Sequence, residues 1–144
     1  GKKYLIVDYN PETIYKLSKQ GIDCKYGDID EEEFLNEIDF STTKMVVSTV
    51  PEFETNYLLI KNIKEENENA IVIVTSYDLE EATKLYKAGA TYVILPHFLG
   101  GSYASKLIDE HQLDMEKFNK EKENHLKYIE DKKKFGTKHP EKDE

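Results

Sequence analysis

The chain has 144 residues, of which 38% are hydrophobic and 34% charged, so it can build the core of one domain of ordinary size. A second folded domain and wholesale disorder are therefore not expected. Its 29 acidic residues outnumber 20 lysines, no arginine occurs, and the net charge of -9 argues against nonspecific nucleic-acid binding. The single cysteine, Cys24, excludes an intrachain disulfide or a cysteine zinc cluster and favours a reducing compartment.

The charge is unevenly distributed along the chain. Residues 1–112 carry 11 lysines and 20 acidic residues, whereas residues 113–144 carry nine of each. We therefore expect a domain over residues 1–112 and a charged helical tail over residues 113–144, with a loose end after the breakers Gly136 and Pro140. The apolar runs are far shorter than the roughly 20 residues of a membrane-spanning helix, and no signal peptide is apparent. The sequence thus predicts a soluble protein with no direct membrane insertion.

The predicted elements begin with a strand at residues 4–7, a helix at 11–20, a strand at 22–26 and a short helix capped by Asp30. Asn10 is a typical N-cap, Pro11 suits a first helical turn, and Gly21 ends the helix. Cys24 lies within the second predicted strand, which favours a buried packing thiol over a reactive one.

Strands and helices continue to alternate, with predicted strands at residues 44–49, 70–75 and 91–95, helices at 52–65 and 79–88, and a last helix from Ser102 or Tyr103 to His111. Gly100 and Gly101 predict a flexible turn before that last helix, and Gly89 predicts a left-handed helix end. The helical period predicts that the helices at residues 52–65 and 79–88 bury the following side chains: Phe53, Tyr57, Leu58, Ile60, Ala82, Leu85 and Tyr86.

Five strands in alternation with helices predict an α/β fold, a doubly wound parallel sheet with a charged C-terminal helix. In such sheets ligands bind where the carboxyl ends of the strands meet the following loops. Those ends bring Asp8, Asp28 and Ser48 to one rim of the sheet, where we expect them to surround a common hollow.

Each candidate residue at this rim has a functional and a purely structural interpretation. Asp8 ends a strand, where a carboxylate can accept hydrogen bonds from the two hydroxyls of an adenosine ribose or simply stabilise a turn. Gly27 would let an adenine approach while Asp28 accepts from its amino group, but Asp28 also suits a helix cap. Ser48 and Thr49 offer hydroxyls and amides to a phosphate, although threonine is also common in strands.

Together these segments resemble the RCK or TrkA-N domain, and more closely the regulatory domain of Kef-type cation/proton antiporters. The segments that carry the resemblance are LIVDYNPE (5–12), Gly21, YGD (26–28), KMVVSTVP (44–51) with Asn56, and AGATYVILP (88–96) with Gly100 and Gly101. The resemblance implies a Rossmann-like domain that binds NAD(H) or an adenine nucleotide, forms a homodimer and controls ion flux through a membrane transporter portion. It also implies a cytoplasmic location at the inner (plasma) membrane.

By position, the resemblance implies that Asp8 binds the ribose and Asp28 the adenine. Ser48 and Thr49 would bind the linking phosphates or the second ribose. The same comparison extends the candidate nucleotide-binding set to Tyr9, Asn10, Gly27 and Ile29.

The chain departs from the family at its start, because it has no first strand with a Gly-x-Gly-x-x-Gly turn to hold the pyrophosphate. Its affinity for phosphate should be much reduced, and from this departure alone we expect no nucleotide binding by the isolated chain rather than binding. Gly1 resembles a residue left by cloning, so we expect a fragment of a longer membrane protein. Without that strand the remaining five strands can close into one sheet with the flavodoxin-like order 2-1-3-4-5, which is the alternative we prefer. Otherwise the sheet keeps an open edge whose unpaired backbone groups favour pairing with a second copy in an intertwined, swapped dimer.

The rival hypothesis is a receiver-like or flavodoxin-like interaction module without ligand or phosphotransfer activity. A receiver needs a carboxylate at the end of its third strand and a lysine before its last proline, where this chain has Ser48 and Leu95. The four histidines are too widely spaced for a zinc site, and no hydrolase elbow is present. We therefore expect no catalytic residues, no metal site and no enzymatic activity.

Overall fold

The computed structural model describes residues 3–134, and the predicted loose end at Gly136 and Pro140 lies outside the described residues. Its elements are β1 (Ile6–Asp8), α1 (Pro11–Lys19), β2 (Cys24–Tyr26), α2 (Glu32–Asn36), β3 (Met45–Val47), α3 (Phe53–Glu66), β4 (Ile71–Thr75), α4 (Leu79–Ala88), β5 (Tyr92–Ile94), α5 (Pro96–His111) and α6 (Met115–Lys134). Strands thus alternate with helices as the sequence predicts, and α6 is the expected charged helix, with an exposed surface along most of its length.

The strands form two parallel sheets and not one sheet of five. β1 pairs with β2, and β3, β4 and β5 form a three-stranded sheet in that order. The expected closure into the order 2-1-3-4-5 is therefore not observed among the described residues. The ladder bonds of β1 run to the β2 side, from Ile6 N to Asp23 O and from Gly27 N to Asp8 O, and those of β3 run to β4. The swapped dimer stays a prediction.

The described residues divide into two compact units. The first comprises residues 3–28 and 107–134, and the second comprises Ile29–Lys106. In the first unit, α1 packs against β1 and β2, and the Cys24 Sγ lies 3.6 Å from the carbonyl oxygen of Ile14. Cys24 is half-buried, so its thiol is less enclosed than predicted. The domain boundary at residue 112 stays a prediction.

The hydrophobic core of the described residues lies in the second unit, between the three-stranded sheet and helices α3 and α4. The strand residues of this core, Val72, Val74 and Val93, share one face of the sheet because they alternate with their neighbours and pair in register. The opposite face carries Met45, Val47, Ile71 and Tyr92, which are 40 to 52% exposed. This sheet is therefore buried chiefly on its α3 and α4 side.

Two residues that the helical period placed in the core lie outside it. Leu58 is 50% exposed, because α3 turns the adjacent Leu59 and Ile60 toward the core instead. Tyr86 is 44% exposed, and its hydroxyl extends to β5, where it accepts a hydrogen bond from Val93 N at 3.0 Å. Both predictions were therefore wrong.

Two local predictions in the loops were also wrong. Gly100 and Gly101 lie inside α5, which begins at Pro96, because proline fits a first helical turn and each glycine costs a helix only about 1 kcal/mol. Asp30 does not cap α2, whose N-cap position is Glu31 and has no side-chain cap. The Asp30 carboxylate instead accepts a hydrogen bond from the Thr55 hydroxyl on α3.

Gly89 ends α4 with a φ of +119°, as predicted. A Cβ at this position would lie 3.3 Å from Lys64 Cγ and 3.5 Å from Ile60 Cγ2. We expect Gly89→Ala to lower the free energy of unfolding by about 1–2 kcal/mol in urea titrations, because an L-residue is strained there. The control Gly100→Ala adds a Cβ that meets nothing within 4 Å and should raise stability by up to about 1 kcal/mol. Equal effects at both glycines would contradict the prediction.

Candidate functional site

The carboxyl end of β1 forms a tight polar turn. Asp8 Oδ1 accepts a hydrogen bond from Asn10 N at 2.8 Å, and Asn10 Oδ1 accepts one from Glu12 N at 2.9 Å. Asn10 thereby caps α1, and Pro11 occupies the first turn, as the sequence predicts. A carboxylate offers about four acceptor positions, so the turn leaves Asp8 with capacity to accept from a ligand.

The end of β2 lies beside this turn. Asp8 pairs in register with Tyr26, and Gly27 N donates to Asp8 O at 3.1 Å. This pairing places Gly27 and the half-buried Asp28 next to the Asp8 segment. Tyr26 and Tyr9 are 60% and 55% exposed at the same edge. The edge therefore combines acidic acceptors with exposed aromatic rings, which suits hydroxyl and amino donors better than phosphate.

The carboxyl ends of β3 and β4 carry the hydroxyl-bearing half of the candidate set. Ser48 is buried at 4% exposure, whereas Thr49 is exposed. The Thr75 hydroxyl donates to Ser48 O at 2.9 Å and so joins the two strand ends. Ile29, also a candidate, packs against the hydrophobic core of this unit.

The structure thus brings together the candidate residues of the first unit at one sheet edge: Asp8, Tyr9, Asn10, Gly27 and Asp28. Ser48 and Thr49 lie at the corresponding edge of the second unit. A common hollow that includes both groups stays a prediction, and so does the role of each residue in it.

Sequence reasoning gave no role to Asn56 or Thr75, although both shape the second edge. Asn56 is fully buried in α3, and its Nδ2 donates to Val50 O at 2.7 Å and to Thr75 O at 3.0 Å. The signal was an asparagine on the inward face of an amphipathic helix, because a buried amide needs hydrogen-bond partners and finds them in the neighbouring backbone.

Two further observations bound the chemistry of the described part of the chain. Within residues 3–134, no group of three or more histidine, cysteine or acidic side chains is placed to hold a metal ion. None of the helices in this range combines the length and the apolar composition needed to cross a membrane.

Parallel strands alternating with helices, with acidic and hydroxyl side chains at the strand ends, define a Rossmann-like α/β domain. The TrkA-N domain model matches residues 1–96, which is two thirds of the chain, and the chain therefore belongs to the TrkA-N domain family. The resemblance drawn from the sequence is confirmed.

Known relatives and structures are consistent with this family. The glutathione-regulated potassium-efflux system protein KefC of Escherichia coli is 25% identical over 89 residues, which cover 62% of this chain but 14% of KefC. The NAD(P)-binding domain of an exopolyphosphatase-related protein from Archaeoglobus fulgidus superposes with a TM-score of 0.64 at 25% identity, covering 76% of this chain and 82% of that domain. The Kef C-terminal domain of Shewanella denitrificans, in its AMP-bound form, has the same fold, with a TM-score of 0.53, 14% identity, and coverage of 91% and 93%.

Proposed function

We propose that this chain is the nucleotide-sensing regulatory domain of a monovalent cation transport protein of the Kef type, and that it works at the cytoplasmic face of the membrane. The observation that carries the proposal is the TrkA-N match over residues 1–96, together with the likeness to KefC, a potassium-efflux protein. The match spans a small share of KefC, so the ion and the transporter portion belong to the proposal.

The proposed ligand is NAD(H) or an adenine nucleotide. Asp8 would accept from the ribose hydroxyls and Asp28 from the adenine amino group, while Ser48 and Thr49 would bind a phosphate or the second ribose. Support comes from the acceptor capacity of the Asp8 turn, and from the bound AMP and the NAD(P)-binding function named for two similar structures. The chain contains no Gly-x-Gly-x-x-Gly turn to hold a pyrophosphate, so we expect weak binding.

The proposed output is a shift between two arrangements of a homodimer that is passed to the transporter portion. A nucleotide can shift such an equilibrium only if it binds one arrangement more tightly than the other. No covalent chemistry is required, so the domain would act without enzymatic activity.

A thermal-shift titration with AMP, ATP, NAD and NADH tests the ligand. At ten times its dissociation constant a nucleotide stabilises the folded state by about 1.4 kcal/mol, which should raise the melting temperature by roughly 3–8 °C. Inorganic phosphate and ribose at the same concentration are the controls. No rise with any nucleotide at millimolar concentration would refute sensing by this chain and favour the interaction module without a ligand.

A further inference from the structure

A network of side-chain hydrogen bonds holds the ends of β3 and β4 together. We name residues 48–50 and 75–76 the β3–β4 rim. The Asn56 amide donates one hydrogen bond to each part of the rim, to Val50 O at 2.7 Å and to Thr75 O at 3.0 Å. The Thr75 hydroxyl adds a bond to Ser48 O at 2.9 Å. Helix α3 is thereby fastened to both halves of the rim through one residue.

Asparagine is well suited to this position. Its Nδ2 carries two hydrogens, and both are used on backbone carbonyls of the rim. A carboxylate there would face the two carbonyl oxygens, and an apolar side chain would leave both without this donor. The geometry of the rim therefore depends on the amide itself and not on its volume alone.

The same region contains two buried polar atoms that other protein groups do not satisfy. Among the described residues, Ser48 Oγ and Asn56 Oδ1 are buried without a hydrogen-bond partner. Buried polar atoms nearly always have a partner, so the unpaired Ser48 Oγ is the observation that points to a ligand at the rim.

We propose that Asn56 is a positioning residue that holds the β3–β4 rim so that Ser48 and Thr49 can bind a phosphate or ribose hydroxyl of the nucleotide. This inference rests on the proposed function for its ligand. Asn56 is fully buried and acts through the rim and not by contact with the nucleotide.

The chain offers a matched control at the other end of the same helix and sheet. Asn67 follows α3, and its Nδ2 donates to Thr43 O at 2.8 Å, just before β3 begins. Asn67 also donates to Phe40 O and Ser41 O, each at 3.3 Å. Asn56→Asp and Asn67→Asp thus make the same chemical change on backbone carbonyls at opposite ends of β3.

The experiment measures hydrogen exchange and AMP affinity by NMR in the full chain and in both variants. In Asn56→Asp, the amides of Ser48 and Ser76, which donate to Ile73 O and Ile94 O, should exchange at least about tenfold faster than global destabilisation explains. In Asn67→Asp, the faster exchange should appear at Ile71, whose amide donates to Lys44 O. AMP affinity should fall about tenfold or more in Asn56→Asp and stay within twofold in Asn67→Asp.

The two measurements separate this inference from the proposed function. If AMP does not bind the unmodified chain, sensing fails, and the exchange data alone decide whether Asn56 positions the rim. If both variants lose affinity in proportion to their stability, or if Ser48 and Ser76 keep their protection in Asn56→Asp, the positioning role is refuted. Should Asn56→Asp not fold, Thr75→Val removes the hydroxyl bond to Ser48 O with little change of shape and should produce the same selective effects.

Discussion

Replacement of Leu59 by alanine should lower the free energy of unfolding by about 2–5 kcal/mol, measured by urea denaturation monitored by circular dichroism. Leu59 is 4% exposed and belongs to the core cluster of the second unit. Truncation removes buried methyl groups and leaves a cavity, because the surrounding side chains of a packed core relax only partly. Since domains are marginally stable, this one change could unfold a large fraction of the molecules.

Leu58→Ala is the matched control, because the two leucines are consecutive on α3 and differ in burial, with Leu58 50% exposed. Its cost should stay below about 1 kcal/mol, since roughly half of the side-chain surface already meets water. Equal losses for the two variants would mean that a partner covers Leu58 in solution. A larger loss for Leu58 than for Leu59 would refute the orientation of α3 described above.

The phase of α3 shows where sequence reasoning reaches its limit. Leu58, Leu59 and Ile60 are consecutive, so a hydrophobic stripe can be drawn through this run in more than one phase. Contacts with residues distant in sequence, such as Val72 on β4 and Leu85 on α4, determine which face of α3 is buried. Elements with local signals were predicted correctly, as Asn10 and Pro11 at the start of α1 and Gly89 at the end of α4 show.

The prediction that Asp30 caps α2 failed for a related reason. An acidic residue just before an acidic helix resembles a cap, yet its carboxylate binds the Thr55 hydroxyl, which is 25 positions away. Nothing in the local pattern distinguishes the two uses, because both satisfy the same carboxylate. The α5 start was missed for the opposite reason, since the Gly100 and Gly101 pair is a strong local turn signal that helix formation from Pro96 overrides.

The candidate site also has one part that depends on local sequence and another that depends on residues distant in sequence. The turn from Asp8 to Asn10 depends on neighbours in sequence, and the sequence predicted its residues. The two-sheet arrangement depends on which strands pair, and backbone pairing between β1 and β3 could not be judged from their composition. Sequence reasoning gave Asn56 no role because its partners, Val50 after β3 and Thr75 at the end of β4, become its neighbours only in the folded structure.

The Asp8 carboxylate provides the sharpest test of the nucleotide site, and Asp8→Asn should weaken AMP binding about 10- to 100-fold. Hydrogen bonds to a charged acceptor contribute about 1.5–3 kcal/mol, and 1.4 kcal/mol corresponds to a factor of ten in affinity. Asparagine keeps a side-chain oxygen that can accept from Asn10 N, so the turn and the melting temperature should change little. Alanine would remove the turn bond as well and would confuse the two effects.

Asp23→Asn controls for charge, because Asp23 is an exposed acidic residue just before β2 and its loss changes the net charge by the same amount. A second ligand, 2′,3′-dideoxyadenosine monophosphate, lacks the hydroxyls that Asp8 would bind. If the Asp8 carboxylate binds the ribose hydroxyls, this analogue should bind the unmodified chain and Asp8→Asn with the same low affinity. The analogue and the substitution each remove the same hydrogen bonds, so their effects should not add. Equal losses of AMP affinity in Asp8→Asn and Asp23→Asn would show that the loss follows from the change in net charge and not from a contact of Asp8. An analogue that still distinguishes Asp8→Asn from the unmodified chain would place the contact of Asp8 elsewhere on the nucleotide.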